Sequence, residues 1–370
     1  MAQDKSEGAE ARPTIKDIAR VAGYSKTAVS FAFNDPERIS REARERILEV
    51  ATELGYIPDP VARNLTMKRL GTIGFLVPQD IPVAFQNPYV SEIFRGIGEV
   101  CNRHGFTLNV VPPRRGSMFE GVRNAAVDGF ITLGLMPDME IVQVIEQRHI
   151  PFVTIDGQAA SDIASVSIDD TRLAEMITDH VLSYGHRRIG ILAFSPWSRT
   201  GEAYYSGIGE KRFAGIAQAL GKVGLSLESP QVRMAECECS SEGGAQGAEE
   251  LFREGERPTA VIAMSDIMAI GAYKTLRAHG LRVPRDVSVT GFDDIPEATF
   301  VTPELTTIGQ PGYEKGRQAG NMLLSLLAGE QIRVQEELVG HLIVRNSVGP
   351  APPQVQADIR EAAEGESDVL

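Results

Sequence analysis

The chain has 370 residues, of which 42% are hydrophobic and 24% charged, and it carries a net charge of −13 at neutral pH. That length suits a small domain joined to one large two-part domain. Three cysteines, two of them in Cys237-Glu238-Cys239, are too few for a disulfide framework or a four-ligand zinc site, and no apolar run approaches the ~20 residues that a membrane span requires.

Residues 1–12 lack the apolar core of a secretory leader and read as a disordered start, so a reduced cytoplasm is the expected location. From Thr14 the pattern changes. Ile15, Ile18, Ala19 and Ala22 recur at helical spacing, and Gly23 ends that helix where a left-handed residue is cheapest. Ser25 is placed to cap a second helix by accepting from the Ala28 amide, with Ala28, Val29, Ala32 and Phe33 along its apolar stripe and Asn34-Asp35-Pro36 at its end. A third helix fits Ser40 to Leu54, closed by Gly55.

Two short helices about a glycine-containing turn give the helix-turn-helix layout, in which the start of the second helix enters the major groove of DNA. Periodicity alone fits any amphipathic helical pair. The polar residues Ser25, Lys26, Thr27 and Ser30 distinguish this one, because short donors and a cation suit phosphates and base edges better than a buried core. Charge agrees: residues 12–70 hold eleven Lys and Arg against eight Asp and Glu, a net +3, within a chain of −13. So modest a charge implies that two heads act together for useful occupancy of double-stranded DNA.

Pro60 to Lys68 follows, with Val61, Ala62 and Leu65 on one face of a helix too short to stand alone. It reads either as a linker with one exposed leucine or as an element that folds against a partner.

Between Gly71 and Gly349, apolar runs alternate with helical stretches. The runs are Thr72–Val77, Thr107–Val111, Phe130–Leu133, Phe152–Ile155, Ile189–Ala193, Ala260–Ala263 and Val287–Thr290. Such alternation predicts parallel sheets covered by helices, in two doubly wound subdomains. Ligands bind at the carboxyl ends of such strands, which singles out Asp156 after Phe152–Ile155, Ser265 and Asp266 after Ala260–Ala263, and Asp293 and Asp294 after Val287–Thr290. Each aspartate after the last two runs has a rival role as the cap of a following helix. The connection from Trp197 to Glu210 reads as a long loop, and residues 350–370, acidic and rich in Pro, Ala and Glu, read as a disordered tail without a leucine heptad.

Catalytic chemistry finds little support. The histidines are scattered, no Ser-His-Asp order, phosphate-binding loop or His-Glu-x-x-His occurs, and the adjacent carboxylates Asp169-Asp170 and Asp293-Asp294 diverge on regular elements rather than share a proton. No catalytic residue, metal ligand or cofactor is expected.

The segment from Thr14 to Asn34 (TIKDIARVAGYSKTAVSFAFN) and that from Ile39 to Leu65 resemble the DNA-binding head and hinge of the LacI/GalR transcription regulators. Further blocks follow in the family's order, among them GTIGFLVP from Gly71, NPYVSEIFRGI from Asn87, DGFITL from Asp128, YGHRRIGIL from Tyr184, KRFAG from Lys211, AMSDIMAIGAYKTL from Ala263, VSVTGFDD from Val287 and LTTIGQP from Leu305.

The resemblance implies an N-terminal all-α helix-turn-helix head (13–59), a hinge helix (60–70) and a core (71–349) like the periplasmic binding proteins. That α/β core comprises two doubly wound parallel-sheet subdomains, an N-subdomain of about 71–166 and 305–335 and a C-subdomain of about 167–304 and 336–349. It further implies that Lys26, Thr27 and Phe31 face base edges, that Ser25 and Ser30 contact phosphates, and that Thr14 and Asn34 join the DNA-facing set. Phe31 departs from the Arg or His often found there. It is read either as a contact to a thymine methyl or as part of the head's core beside Phe33.

In the hinge, Leu65 matches the wedge that kinks a pseudo-palindromic operator, with Ala62 and Asn64 near the minor groove. In the core, Asp156, Arg212, Ser265 and Asp293 match positions that bind effector hydroxyls. The positions of the usual aromatic platform are the small Cys239 and Gly312, which leaves either a roomier pocket or a stacking residue from elsewhere, with Tyr89 and Trp197 as candidates. The implied protein is a cytoplasmic homodimeric repressor with a small-molecule effector, sugar-like or, as a variant, a nucleoside-type corepressor. The rival reading is a small-molecule sensor whose head has lost DNA binding.

Overall fold

A computed structural model describes residues 13–58, 69–77, 79–115, 117–135, 139–157, 163–195, 206–253 and 255–353. Residues 1–12, Ala62, Asn64, Leu65, Trp197 and the tail beyond Pro353 lie outside the described residues. The chain divides into two compact units, meeting at Leu70 and Gly71.

The first unit holds three helices, α1 (Ile15–Ala22), α2 (Lys26–Asn34) and α3 (Arg41–Glu53). Their limits follow local chemistry. The Thr14 amide and hydroxyl both donate to the Asp17 carboxylate, at 3.0 and 2.7 Å, which fixes the start of α1. Gly23 ends it at φ 77°, in the left-handed region. Ser25 Oγ accepts from the Ala28 amide at 3.1 Å, as its spacing predicts, and Ser40 Oγ accepts from the Ala43 amide at 3.2 Å. Ile18, Val29, Ala32, Ile47, Val50 and Ala51 close the small core, and the Phe33 and Tyr56 rings flank it, 5.6 Å apart.

The second unit is built on three sheets. β1 (Thr72–Leu76), β2 (Thr107–Val111), β3 (Gly129–Leu133), β4 (Phe152–Ile155), β5 (Ala164–Ser167) and β11 (Gln335–Glu337) form one parallel sheet in the order β11-β5-β4-β3-β1-β2. β6 (Ile189–Phe194), β7 (Val232–Cys237), β8 (Ala260–Ala263) and β9 (Ser288–Thr290) form a second parallel sheet, in the order β7-β6-β8-β9. β10 (Thr307–Gly309) and β12 (His341–Ile343) pair antiparallel. All seven strands expected from apolar runs are present, within a residue or so at each end. The others escape a hydrophobicity reading for physical reasons: β5 is Ala-Ser-Val-Ser, β7 alternates as an edge strand does, and β10 to β12 have three residues each.

The helices that matter for the site are α4 (Ile81–Ala84), α5 (Pro88–His104), α6 (Met118–Asn124), α7 (Glu140–Gln147), α8 (Asp170–Ser183), α9 (Ser206–Gly221), α10 (Ser241–Phe252), α11 (Asp266–Ala278) and α12 (Gly312–Ala328). The connection expected between Trp197 and Glu210 is shorter than read, because residues 206–210 are the first turns of α9.

Three helix pairs touch backbone to backbone, α10 and α11 doing so at Gly244 and Gly271. A Cβ on Gly96 of α5 would stand 2.0 Å from the Tyr313 carbonyl oxygen of α12, and one on Gly316 of α12 would stand 2.1 Å from that of Ile93. Likewise a Cβ on Gly215 of α9 would stand 2.1 Å from the Thr171 carbonyl oxygen of α8. Only glycine permits such approach.

The last part of the core is pinned by His186, which is fully buried. Its Nδ1 faces Thr259 Oγ1 at 2.9 Å, and its Nε2 faces the Gly349 carbonyl at 2.9 Å and Ser288 Oγ at 3.0 Å. Order runs past residue 349: Ala351 is buried and its amide donates to the Tyr184 carbonyl.

Candidate functional site

In the head, Ser25, Lys26 and Thr27 are exposed at the start of α2, and Thr14 is exposed at the start of α1. Ser30 and Asn34 are half-buried, one turn apart, with Asn34 Nδ2 donating to Ser30 Oγ at 3.4 Å. Because Ser25 Oγ uses a lone pair for its cap, its hydroxyl proton remains free to donate outward. Phe31 stays outside the buried core, half-exposed, with the Arg38 guanidinium 5.4 Å from its ring centroid. The core reading of Phe31 therefore gives way to a surface aromatic carrying a cation.

In the second unit, a cavity of about 20 Å3 opens where the strand ends of the two parallel sheets converge. Tyr89, Asp156, Arg212, Ser265 and Asp293 all line it, with Asn87, Phe194, Cys239 and Gln310 among their neighbours. Five of the six sequence-picked effector residues thus meet at one place, and the sixth, Trp197, lies outside the described residues.

Each arrives by a local cause. Asn87 caps α5, its Oδ1 accepting from the Tyr89 amide at 3.0 Å ahead of Pro88 in the first turn, and this aims Tyr89 at the cavity. Asp156 follows β4 at φ 55°, and Asp293 follows β9 at φ 129°. Such backbone costs of order 1–3 kcal/mol per residue and gathers at ligand sites. The Tyr89 ring takes the space that a side chain at Gly312 would need, since a Cβ there would lie 2.9 Å from Tyr89 Cε2. At Gly312, then, the cleft is no roomier for its small residue.

The polar groups form a continuous chain. Tyr89 Oη donates to Asp156 Oδ2 at 2.6 Å. Lys315 Nζ, fully buried, donates to Asp156 Oδ1, to Gln310 Oε1 at 2.6 Å and to Tyr89 Oη at 2.9 Å. Gln310 Nε2 donates in turn to Asp293 Oδ1, and Ser265 Oγ donates to Asp293 Oδ2 at 2.7 Å. Arg212 stands beside this chain, its Nε donating to Asp170 Oδ1 at 2.9 Å and its Nη1 to the Met264 carbonyl, with the guanidinium 3.6 Å from the Phe292 ring centroid.

Burial pushes the Asp293 carboxyl up to about 6 despite Arg212, Ser265, Gln310 and Lys315, which favour its charge. Burial and then Asp293 push Asp266 up to about 8. Burial, then the Asp156 charge, holds the Tyr89 hydroxyl well above its ordinary range.

The rival capping roles fail. Asp266 accepts from Thr307 Oγ1 at 2.5 Å and from the Ile295 amide at 3.0 Å, so it ties β10 to the loop after β9. Asp294 pairs with Arg345 at 2.6 Å while Asp293 faces the cavity, and Asp169 caps α8 while Asp170 faces Arg212. Both adjacent pairs diverge as their spacing predicts. Sequence reasoning missed Lys315, Asp170 and Gln310. Asp170 and Gln310 each follow a short strand, β5 and β10, that a hydrophobicity reading does not find, and Lys315 carried no such signal.

Residues 14–59 match the family described as "Bacterial regulatory proteins, lacI family", and residues 178–348 match the "Periplasmic binding protein-like domain". The repressor CytR of Escherichia coli K12 is 31% identical over 356 residues, spanning 94% of this chain and all of that one. The chain belongs to the LacI family. Among solved structures, the Lac repressor dimer bound to operator and the anti-inducer ONPF superposes with a TM-score of 0.77 at 26% identity, covering 92% of this chain and all of that one. The CelR–cellobiose complex gives 0.66 at 28%, covering 91% and 100%. As a LacI-family member the protein is a DNA-binding transcriptional regulator with a helix-turn-helix head and an effector-binding α/β core. The reading as a sensor without DNA binding finds no support among these relatives. Among the described residues, no helix is long and apolar enough to cross a membrane.

Proposed function

We propose that the protein is a cytoplasmic homodimeric repressor that grips a pseudo-palindromic operator and loses or gains affinity for it when a sugar-like effector enters the core. Lys26, Thr27 and Phe31 read base edges from the major groove. Ser25, Ser30, Thr14 and Asn34 hold the phosphate backbone or support those that do, and Ala62, Asn64 and Leu65 act in the minor groove. The effector is held by Tyr89, Asp156, Arg212, Ser265 and Asp293, with Trp197 as a further candidate contact. No catalytic chemistry, metal or cofactor is assigned to any of them.

The observation that carries this reading is the convergence of polar side chains from the strand ends of both parallel sheets on one cavity. At about 20 Å3 it is too small, as it stands, to take a sugar whole. A polyhydroxylated ligand must therefore part the hydrogen-bonded chain between Asp156 and Asp293, and the energy of doing so differs between arrangements of the core. That difference is what allows a small molecule to control DNA affinity. The cellobiose in the CelR complex supports the ligand class.

The test is a mobility-shift titration of the full chain on its own upstream DNA, with and without a panel of sugars and nucleosides. Steep salt dependence, cooperative dimer binding and a sugar-dependent shift of the midpoint are expected. Binding that ignores every sugar, or that responds only to nucleosides, overturns the sugar assignment.

A further inference from the structure

The charges around the cavity cancel in pairs, with one left over. Lys315 and Asp156 are both buried and form an ion pair, and all three protons of the ammonium are already committed, to Asp156, Gln310 and Tyr89. Arg212 and Asp170 form the second pair, with side chains 4% and 1% exposed, and Arg212 is further held by the Met264 carbonyl and the Phe292 ring. Asp293 remains, and its hydrogen-bond donors, Ser265 and Gln310, are both neutral.

A second observation points the same way. Among the described residues, Asp170 Oδ2 is buried without a hydrogen-bond partner, an acceptor one side chain behind the cavity-lining Arg212. Buried acceptors without donors cost about 1–3 kcal/mol, so a ligand that supplies one gains on binding. Asp266 is turned away from the cavity, accepting from the Thr307 hydroxyl and the Ile295 amide, so Asp293 is the carboxylate of the two that lines it.

Resting on the effector reading above, we propose that the cleft selects an uncharged or amine-bearing polyol and rejects phosphorylated or carboxylated ones, with Lys315 as the internal cation that sets this preference. A phosphate, at about −1.5 to −2, meets two cations that each already have a carboxylate partner and a third carboxylate, Asp293, whose hydrogen-bond donors are neutral. Lys315 looks at first like an anion receptor. Its saturation by Asp156, Tyr89 and Gln310 makes it the opposite, a built-in occupant of the place where a ligand cation would otherwise sit. The uncompensated charge is displaced onto Asp293, at the other end of the hydrogen-bonded chain.

Calorimetric titration of the full chain with matched sets separates the possibilities. The sets are glucose, glucosamine, 6-O-methylglucose and glucose 6-phosphate, and ribose beside ribose 5-phosphate. The expected result is binding of a neutral or amino member at least tenfold tighter than its phosphorylated counterpart, with the methyl ether showing that bulk is not the cause. Asp293→Asn narrows that ratio at least threefold, and Lys315→Met, which leaves Asp156 unpaired, raises the preference for the amino member at least tenfold. Should Lys315→Met not fold, the Asp293→Asn ratio still decides. Phosphorylated members binding as tightly as their neutral counterparts, or tighter, overturn this inference while leaving the sugar reading intact. Failure of every member of both sets to bind removes the sugar reading and this inference with it.

Discussion

Arg212 and Asp170 form an ion pair 2.9 Å long in which neither side chain reaches solvent appreciably. The Gly215–Thr171 backbone contact between α9 and α8 brings the two residues together. Burial opposes the charge on the guanidinium, yet Asp170, Asp293 and Asp156 outweigh it, and Arg212 is held more firmly protonated than a free arginine. Removing one partner of such a pair leaves a buried charge uncompensated, at about 3–5 kcal/mol. Arg212→Met is therefore expected to lose that much stability in urea unfolding, and Arg212→Met/Asp170→Leu to recover most of it. Equal losses in the single and double variants would show that the pair is not the source.

The closeness of α5 and α12 makes a sharp prediction within a single helix. Gly96→Ala places a methyl group 2.0 Å from the Tyr313 carbonyl oxygen, so the helices must separate, and a loss of about 1–3 kcal/mol is expected. Gly98→Ala, two residues on, meets nothing nearer than Leu108 Cδ2 at 4.0 Å, and the gain in helix propensity is expected to stabilise the protein by about 0.5–1 kcal/mol. Thermal melts of the two variants moving in the same direction would contradict the packing.

His186 gives the fold a pH dependence whose sign can be fixed. Burial lowers its pKa from 6.5 to about 4, so the unfolded chain binds the proton more readily. The stability it contributes is complete above about pH 6.5 and is lost as pH falls through about 4, amounting to about 3 kcal/mol. Asp266 and Asp293, raised to about 8 and about 6, act with the opposite sign over an overlapping range. The difference between the unaltered protein and His186→Gln isolates the histidine. In urea unfolding between pH 7 and 4, that difference is expected to shrink steadily as pH falls.

Phe31 sets the expectation for the head. An aromatic ring cannot hydrogen-bond a guanine edge but packs against a thymine methyl, while the Arg38 guanidinium above it is paired with Asp35 at 2.9 Å. Selection of binding sites from random DNA is expected to return an A·T pair opposite Phe31. Phe31→Arg is expected to switch that position to G·C with about 1–3 kcal/mol of discrimination. A guanine preference in the unaltered protein would refute the assignment.

The head was legible almost to the residue, because caps at Ser25 and Ser40 and stops at Gly23 and Gly55 are decided by atoms within four residues of one another. The parallel strands were legible as apolar runs for a similar reason, burial on both faces. Lys315 was not. In the sequence it sits among Tyr313, Glu314, Gly316 and Arg317, as any solvated helix start would. Its burial depends on Asp156, 159 positions away, and on the glycine contacts that draw α12 against α5. Asp170 was read as one of two diverging carboxylates, and its partner could not be named until α9 was laid across α8.

Gln310 has a consequence of its own. Its amide oxygen takes a proton donor from the cation of one lobe, and its amide nitrogen gives one to the carboxylate of the other. An amide does not ionise in the physiological range, so the two charged centres sense each other's position without exchanging a proton. The spacing between the Lys315 ammonium and the Asp293 carboxylate is thus set by one uncharged side chain that itself lines the cavity.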